Sequence, residues 1–187
     1  MKLKEVRKIY EGKFLTYYIA DYENKEGKIK SYEFISRDKN ITLENFGKNK
    51  PAGVGLVPFS SDKKKILLQS EFRLATNRFV YNFPAGLIDK KETPLEAARR
   101  ELKEETGLEL VDEIATLSPS YASQGTSDEL MVIVICTCRG EIKESCFVDE
   151  EIYAKWYTKN EVKKLIENGE FMSVRTQMFL WQWANEK

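Results

Sequence analysis

The strongest constraint on this chain is a helix whose two ends are both written in the sequence, set among short runs of strand-forming residues. Thr93 and Glu96 stand at the spacing of a capping box, Pro94 suits the first helical position, and Gly107 suits the turn that stops a helix. Between them Leu95, Ala98 and Leu102 recur at i, i+3 and i+7, a narrow stripe for burial on one face. The spacing therefore predicts a helix over Pro94–Thr106. Residues 14–22 and 30–37 are rich in aromatic and β-branched types and flank the turn-like stretch 23–28, the pattern of a hairpin. Residues 54–59 and 65–72 read as strands on either side of Ser60-Ser61-Asp62-Lys63, and 79–83 as a short strand that stops at Pro84-Ala85-Gly86. Further strands are expected at 131–138 and 152–157, with helices at 159–167 and 173–185. Interleaving of this kind argues for an α/β (α+β) sandwich over a bundle or an all-β barrel.

The 187 residues suffice for one ordinary domain with a small appended element. No apolar run approaches the ~20 residues that span a bilayer. Met1 to Arg7 lead into no apolar signal core, so a cytoplasmic protein with no membrane partner is expected. Thirty basic and thirty acidic residues cancel, which argues against a general affinity for the nucleic-acid backbone. The three cysteines, Cys136, Cys138 and Cys146, offer no disulfide framework; Cys136 and Cys138 alternate within an apolar run and read as one strand face. Histidine is absent. That removes the Ser-His-Asp triad, a histidine general base and the two-histidine zinc site, and leaves acid–base chemistry to carboxylates, Lys, Tyr or metal-bound water.

The predicted helix concentrates acid. Glu101 and Glu105 stack four residues apart on one face, and Glu104 lies beside them. Three adjacent like charges destabilise an isolated helix, so something cationic is expected to compensate; a hard divalent ion bridging carboxylates to phosphate is the simplest answer. A solvated helix rich in Glu, Lys and Arg shows the same spacing.

The longer segment 86–108 is far more specific. Gly86 is followed by five residues and Glu92, seven more lead to Arg100-Glu101-Leu102, and then come Glu104-Glu105 and Gly107-Leu108. This resembles the Nudix box at every position the box specifies. The resemblance implies a Nudix fold, a mixed β-sheet sandwiched between helices, here with an N-terminal antiparallel hairpin. It also implies a Mg2+-dependent pyrophosphohydrolase, with Mn2+ as a substitute. Glu101 and Glu105 would be the main metal ligands, Glu104 would share the cluster, and the carbonyl of Ala85 would complete it. Arg100 would orient the glutamates and Glu92 would support the loop.

Outside the box the chain resembles the ADP-ribose pyrophosphatase and nucleotide-sugar pyrophosphatase branch. The resemblance rests on the hairpin, on residues 69–73 ending in Phe72-Arg73, on Phe83-Pro84-Ala85-Gly86, and on Ser123 to Glu129. Two positions depart from the branch: Gln124 stands where proline is usual, and Asn82 where an acid is frequent. In this branch a glutamate from the loop before residue 152 acts as general base, which points to Glu150, then Glu151, in the acidic run with Asp149. Arg73 and Arg37 are candidate phosphate or ribose contacts through their bidentate forks, and Glu129 is a weaker one. Tyr17, Tyr18, Tyr32 and Phe34 offer either a stacking platform for a base or ordinary sheet packing. The branch further implies a homodimer through residues 11–37, with residues 1–48 as a β extension and 49–187 as the hydrolase domain. The expected substrate is a nucleoside diphosphate linked to another group, first ADP-ribose, then a GDP-, UDP- or other ADP-sugar. A nucleotide-sensing module without turnover is the rival from another class, and it expects losses among the three glutamates.

Overall fold

The computed structural model describes residues 1–146 and 150–186, and the chain forms two compact units. The first joins Met1–Gly53 to Pro119–Met131; the second joins Val54–Ser118 to Val132–Lys187.

In the first unit three strands run as an antiparallel meander: β1 (Lys2–Glu11), β2 (Thr16–Glu23) and β3 (Ile29–Ser36). The expected hairpin is β2–β3, whose register runs unbroken from Thr16 opposite Ser36 to Glu23 opposite Ile29. Its turn is held by the Asn24 side chain, which accepts from the amides of Glu26 and Lys28, and Gly27 supplies the positive φ of 77°. Alternation sends Thr16, Tyr18 and Ala20 to the buried face. There Phe34 stacks between Tyr18 and Phe46, with ring centroids 5.4 and 4.7 Å away. Strand β1 was not expected, because charged residues separate Leu3, Val6 and the Ile9-Tyr10 pair and break the alternation; Leu3 and Val6 pack against this core. Residues 120–129 fold onto β3: the Ile35 amide donates to the Thr126 carbonyl at 2.9 Å, and the Tyr32 hydroxyl to the Gly125 carbonyl at 2.7 Å. Short strand β9 (Ser120–Tyr121) pairs with Leu130 and Met131.

The second unit is built on a sheet in the order β11 (Ile152–Thr158), β5 (Lys65–Arg73), β4 (Gly53–Ser60), β10 (Leu130–Arg139), β8 (Glu109–Thr116). Two short strands attach to it, β6 (Arg78–Asn82) on β5 and β7 (Ala85–Leu87) on β4. Strand periodicity divides the core in two. Val54, Leu56, Leu67, Val132 and Val134 pack with Ala97, Ala98 and Leu102 of α1 (Pro94–Thr106). Val57, Phe59, Ile66 and Leu68 pack with α2 (Lys159–Glu167) and α3 (Val174–Asn185) through Val162, Leu180 and Trp183. Helices thus cover both faces of the sheet, as the resemblance implied. Leu102 is fully buried, and its truncation to Ala is expected to cost roughly 2–5 kcal/mol. Cys136 and Cys138 share the α1 face, and burial pushes both thiols up to about 12, which keeps them inert packing residues. No helix among the described residues is long and apolar enough to cross a membrane.

Candidate active site

Helix α1 begins where the sequence places it. The Thr93 hydroxyl accepts from the Glu96 amide, the Glu96 carboxylate accepts from the Thr93 amide at 2.7 Å, and Gly107 closes the helix at a φ of 74°. Capping fixes the two ends of the helix, and its apolar stripe sets the rotation. Leu102 faces the sheet, and Glu101 and Glu105 come to stand at its margin, 8% and 7% exposed.

Arg100 organises the N-terminal half of the site. Its Nε and Nη2 grip the two Glu92 oxygens at 2.8 and 2.9 Å, Nη1 donates to Glu101 at 2.7 Å and Glu104 at 3.1 Å, and Nη2 also donates to the Leu87 carbonyl at 2.9 Å. The planar fork allows one side chain to fix three carboxylates and the loop backbone together. The Arg100 guanidinium holds the Glu92 carboxyl at about 2, with help from the Asp89 amide, so Glu92 stays ionised as an anchor. Glu101 balances burial, which raises its carboxyl, against Arg100, which lowers it; burial is the larger effect.

Glu105 sits differently. Burial pushes it up to about 8, and the neighbouring Glu101, Glu71 and Glu150 push in the same direction. The opposing contact is an amide: Gln69 Nε2 donates to Glu105 Oε2 at 2.8 Å. A desolvated carboxylate surrounded by like charge is a site that a cation stabilises. The backbone across from it is equally specialised, since a Cβ built on Gly86 would overlap the Glu101 carboxyl group. Only glycine lets the 85–87 strand run against that carboxylate.

Among the described residues no three acidic or cysteine side chains close around a single point. Arg100 draws Glu101 and Glu104 to itself, and Gln69 holds Glu105. In donor chemistry, however, the set fits a hard divalent ion: carboxylate oxygens, a carbonyl-bearing strand without side-chain bulk at Gly86, and one carboxylate lacking a cationic partner.

Of the two loop candidates, Glu150 enters this field. Its carboxyl is raised by partial burial, then by Glu71 and, less, by Glu104, against the lowering effect of Arg73. Glu151 has an exposed side chain, and its carbonyl accepts from the Phe72 amide of β5 at 3.0 Å. Asp149 lies outside the described residues. Arg73 is half-exposed and paired to Glu71 two residues back on the same strand face. Arg37 and Glu129 belong to the first unit, where they bond to each other at 2.8 Å. Two site residues escaped the sequence reading, Gln69 and Glu71. The signal was a glutamine directly after the apolar run Ile66-Leu67-Leu68, where a core strand would continue with an aliphatic.

The NUDIX domain family model matches residues 49–176. The chain is 27% identical over 170 residues to an ADP-ribose pyrophosphatase of Bacillus subtilis, covering 90% of this chain and 84% of that protein. It is 28% identical over 134 residues to an ADP-sugar pyrophosphatase of Mus musculus, covering 71% of this chain and 59% of the relative. A crystal structure of an ADP compounds hydrolase superposes at a TM-score of 0.73 over 97% of this chain and 93% of the other, with 23% identity, a likeness of fold.

Proposed function

This chain belongs to the Nudix family of pyrophosphohydrolases, and from that premise we propose that it cleaves the pyrophosphate of a nucleoside diphosphate linked to a second group. ADP-ribose, giving AMP and ribose 5-phosphate, is the first substrate; another ADP-, GDP- or UDP-sugar is the alternative. The observation that carries the reading is Glu105, desolvated, crowded by carboxylates and held by an amide rather than a cation. Relatives of ADP-ribose and ADP-sugar specificity support the substrate class.

Glu101, Glu104, Glu105 and the Ala85 carbonyl would hold the divalent ion, Mg2+ by preference and Mn2+ as a substitute. Such an ion neutralises the pyrophosphate, lowers the pKa of water and stabilises the leaving oxygen. The chain's own residues do the rest. Arg100 keeps Glu101 and Glu104 aligned, and Glu92 holds Arg100 against the loop carbonyl of Leu87. Glu150 accepts the proton of the water whose oxygen attacks phosphorus; the bond to the bridging oxygen breaks, and both products leave as phosphate monoesters. Partial burial beside Glu71 strengthens Glu150 as a base. Arg73 is the proposed contact to the substrate phosphates, released from Glu71 when a stronger anion arrives. Arg37 and Glu129, which pair with each other, are proposed substrate contacts.

We further propose a homodimer through the N-terminal strands, because Ile9, Tyr10, Phe14, Leu15 and Ile29 stand exposed there. Light scattering at working concentration tests it, and a monomeric mass refutes it.

The deciding experiment is a phosphatase-coupled phosphate assay over ADP-ribose, sugar nucleotides, dinucleoside polyphosphates and nucleoside triphosphates, with Mg2+ and with EDTA. EDTA-sensitive turnover of ADP-ribose is the expected result. Turnover of another sugar nucleotide alone would keep the chemistry and assign Gln124 and Asn82 to specificity. Turnover of nothing, with Mg2+ or Mn2+, would overturn the reading.

A further inference from the structure

Strand β5 is an aliphatic core strand through Leu68 and then turns polar at Gln69, which is as buried as its neighbours at 1% exposure. A leucine would satisfy the packing there. An amide adds donors and an acceptor that must find partners, and leaving one unmet costs about 1–3 kcal/mol. Gln69 directs its Nε2 to Glu105 Oε2, across 36 residues of chain, at 2.8 Å. Alternation along β5 puts Glu71 and Arg73 on the same strand face as Gln69. The antiparallel registers set Asn82 of β6 opposite Gln69 on one side and Ala154 of β11 on the other.

The three helix glutamates are therefore positioned by two different devices. Glu101 and Glu104 are held by the Arg100 guanidinium, while Glu105 is held by a neutral donor from the sheet. The distinction matters chemically. A lysine or arginine at position 69 would neutralise Glu105 and compete with any cation. An amide fixes the rotamer without supplying a positive charge that would compete with a cation.

We infer that Gln69 is a positioning residue of the hydrolytic site: it holds Glu105 through Oε2 and assigns the other oxygen, Oε1, to the divalent ion. This rests on the reading of Glu101, Glu104 and Glu105 as the metal carboxylates. It predicts that the geometry of ion binding, more than substrate binding, depends on a residue outside segment 86–108.

The test uses the full chain with Mn2+ alone, its binding followed by electron paramagnetic resonance, beside steady-state kinetics in Mg2+. Gln69→Met keeps the volume and removes the donor. It is expected to weaken Mn2+ binding by about 10–100-fold, the range for loss of a ligand's supporting hydrogen bond. kcat should fall at limiting Mg2+ with the substrate KM little changed, and Gln69→Met should add nothing in a Glu105→Gln background. Gln69→Asn, which keeps the amide one methylene short of reach, should weaken Mn2+ as well, and it serves if the Met variant fails to fold. A drop in Tm measured in EDTA with Mn2+ affinity unchanged would assign Gln69 to packing and overturn the inference. If Glu105→Gln itself leaves Mn2+ affinity unchanged, the reading of the metal carboxylates falls first, and this inference with it.

Discussion

Strand β1 carries Lys2, Lys4, Glu5, Arg7, Lys8 and Glu11 in ten residues; helix α1 carries Glu96, Arg99, Arg100, Glu101, Lys103, Glu104 and Glu105 in thirteen. On β1 the charges pair outward: Lys4 with Glu23 at 2.9 Å, Arg7 with Asp21 at 3.0 Å, Lys8 with Glu11 at 2.8 Å, with the basic side chains about 40% exposed. Water and salt screen such pairs, and they contribute little. On α1 the same residue types converge at the sheet margin, where Glu101 and Glu105 are nearly closed off from solvent. There a charge keeps its field, so each carboxylate is felt by the others and each needs a partner. Charge density is therefore no guide to a site. What distinguishes the two segments is the apolar stripe that drives α1 into the core and takes its flanking acids with it.

The predictions that would break this contrast run from catalysis to surface. Glu150→Gln should lower kcat by about 10²–10⁴-fold, the usual contribution of a positioned base, while Glu151→Gln stays close to wild type. If both variants keep wild-type kcat, the assignment of the base fails.

Next in size is the effect of Glu105 on the metal-free protein. Its folded carboxyl lies at about 8 against an ordinary value of 4.5, so the folded state keeps a proton that the unfolded state gives up. Stability in EDTA should fall as pH rises from 4.5 to 8, and Glu105→Gln should flatten that slope. At pH 8 the variant should be the more stable protein by about 2–4 kcal/mol in urea melts. A wild-type stability that is level across this window would refute the desolvation argument.

Arg100→Ala leaves Glu101 without its counter-charge and should cost about 2 kcal/mol of stability in the same melts. Arg100→Lys should recover only part of it, because an ammonium cannot span Glu92, Glu101 and Glu104 together. At the bottom of the scale, Lys4→Ala should leave Tm unchanged, and a clear drop would mean that β1 charges are more than solvated pairs.

Legibility followed the same division. Helix α1 was readable to the residue, because a capping box, a first-turn proline and a left-handed glycine are local chemistry. The central strands β4, β5 and β10 were readable because burial on both faces makes continuous apolar runs. Four strands were missed: β7 and β9 are only three and two residues long, and the longer pair, β1 and β8, lie at the ends of their sheets. One flank of β1 and of β8 is unpaired and most of their side chains are exposed, so charged residues are tolerated and the pattern blurs.

By itself, then, the sequence determined the helix, its ends, and the placing of Glu101, Glu104 and Glu105 on adjoining positions of its surface, since caps and a 3.6-residue period need no tertiary partner. Tertiary structure alone decided the environment of those carboxylates. Gln69 and Glu71 arrive from a strand some thirty residues earlier, Glu150 from a loop more than forty residues later, and Gly86 leaves room for Glu101 only because β7 pairs with β4. Desolvation and field are properties of neighbours in space, and spacing along the chain does not encode them.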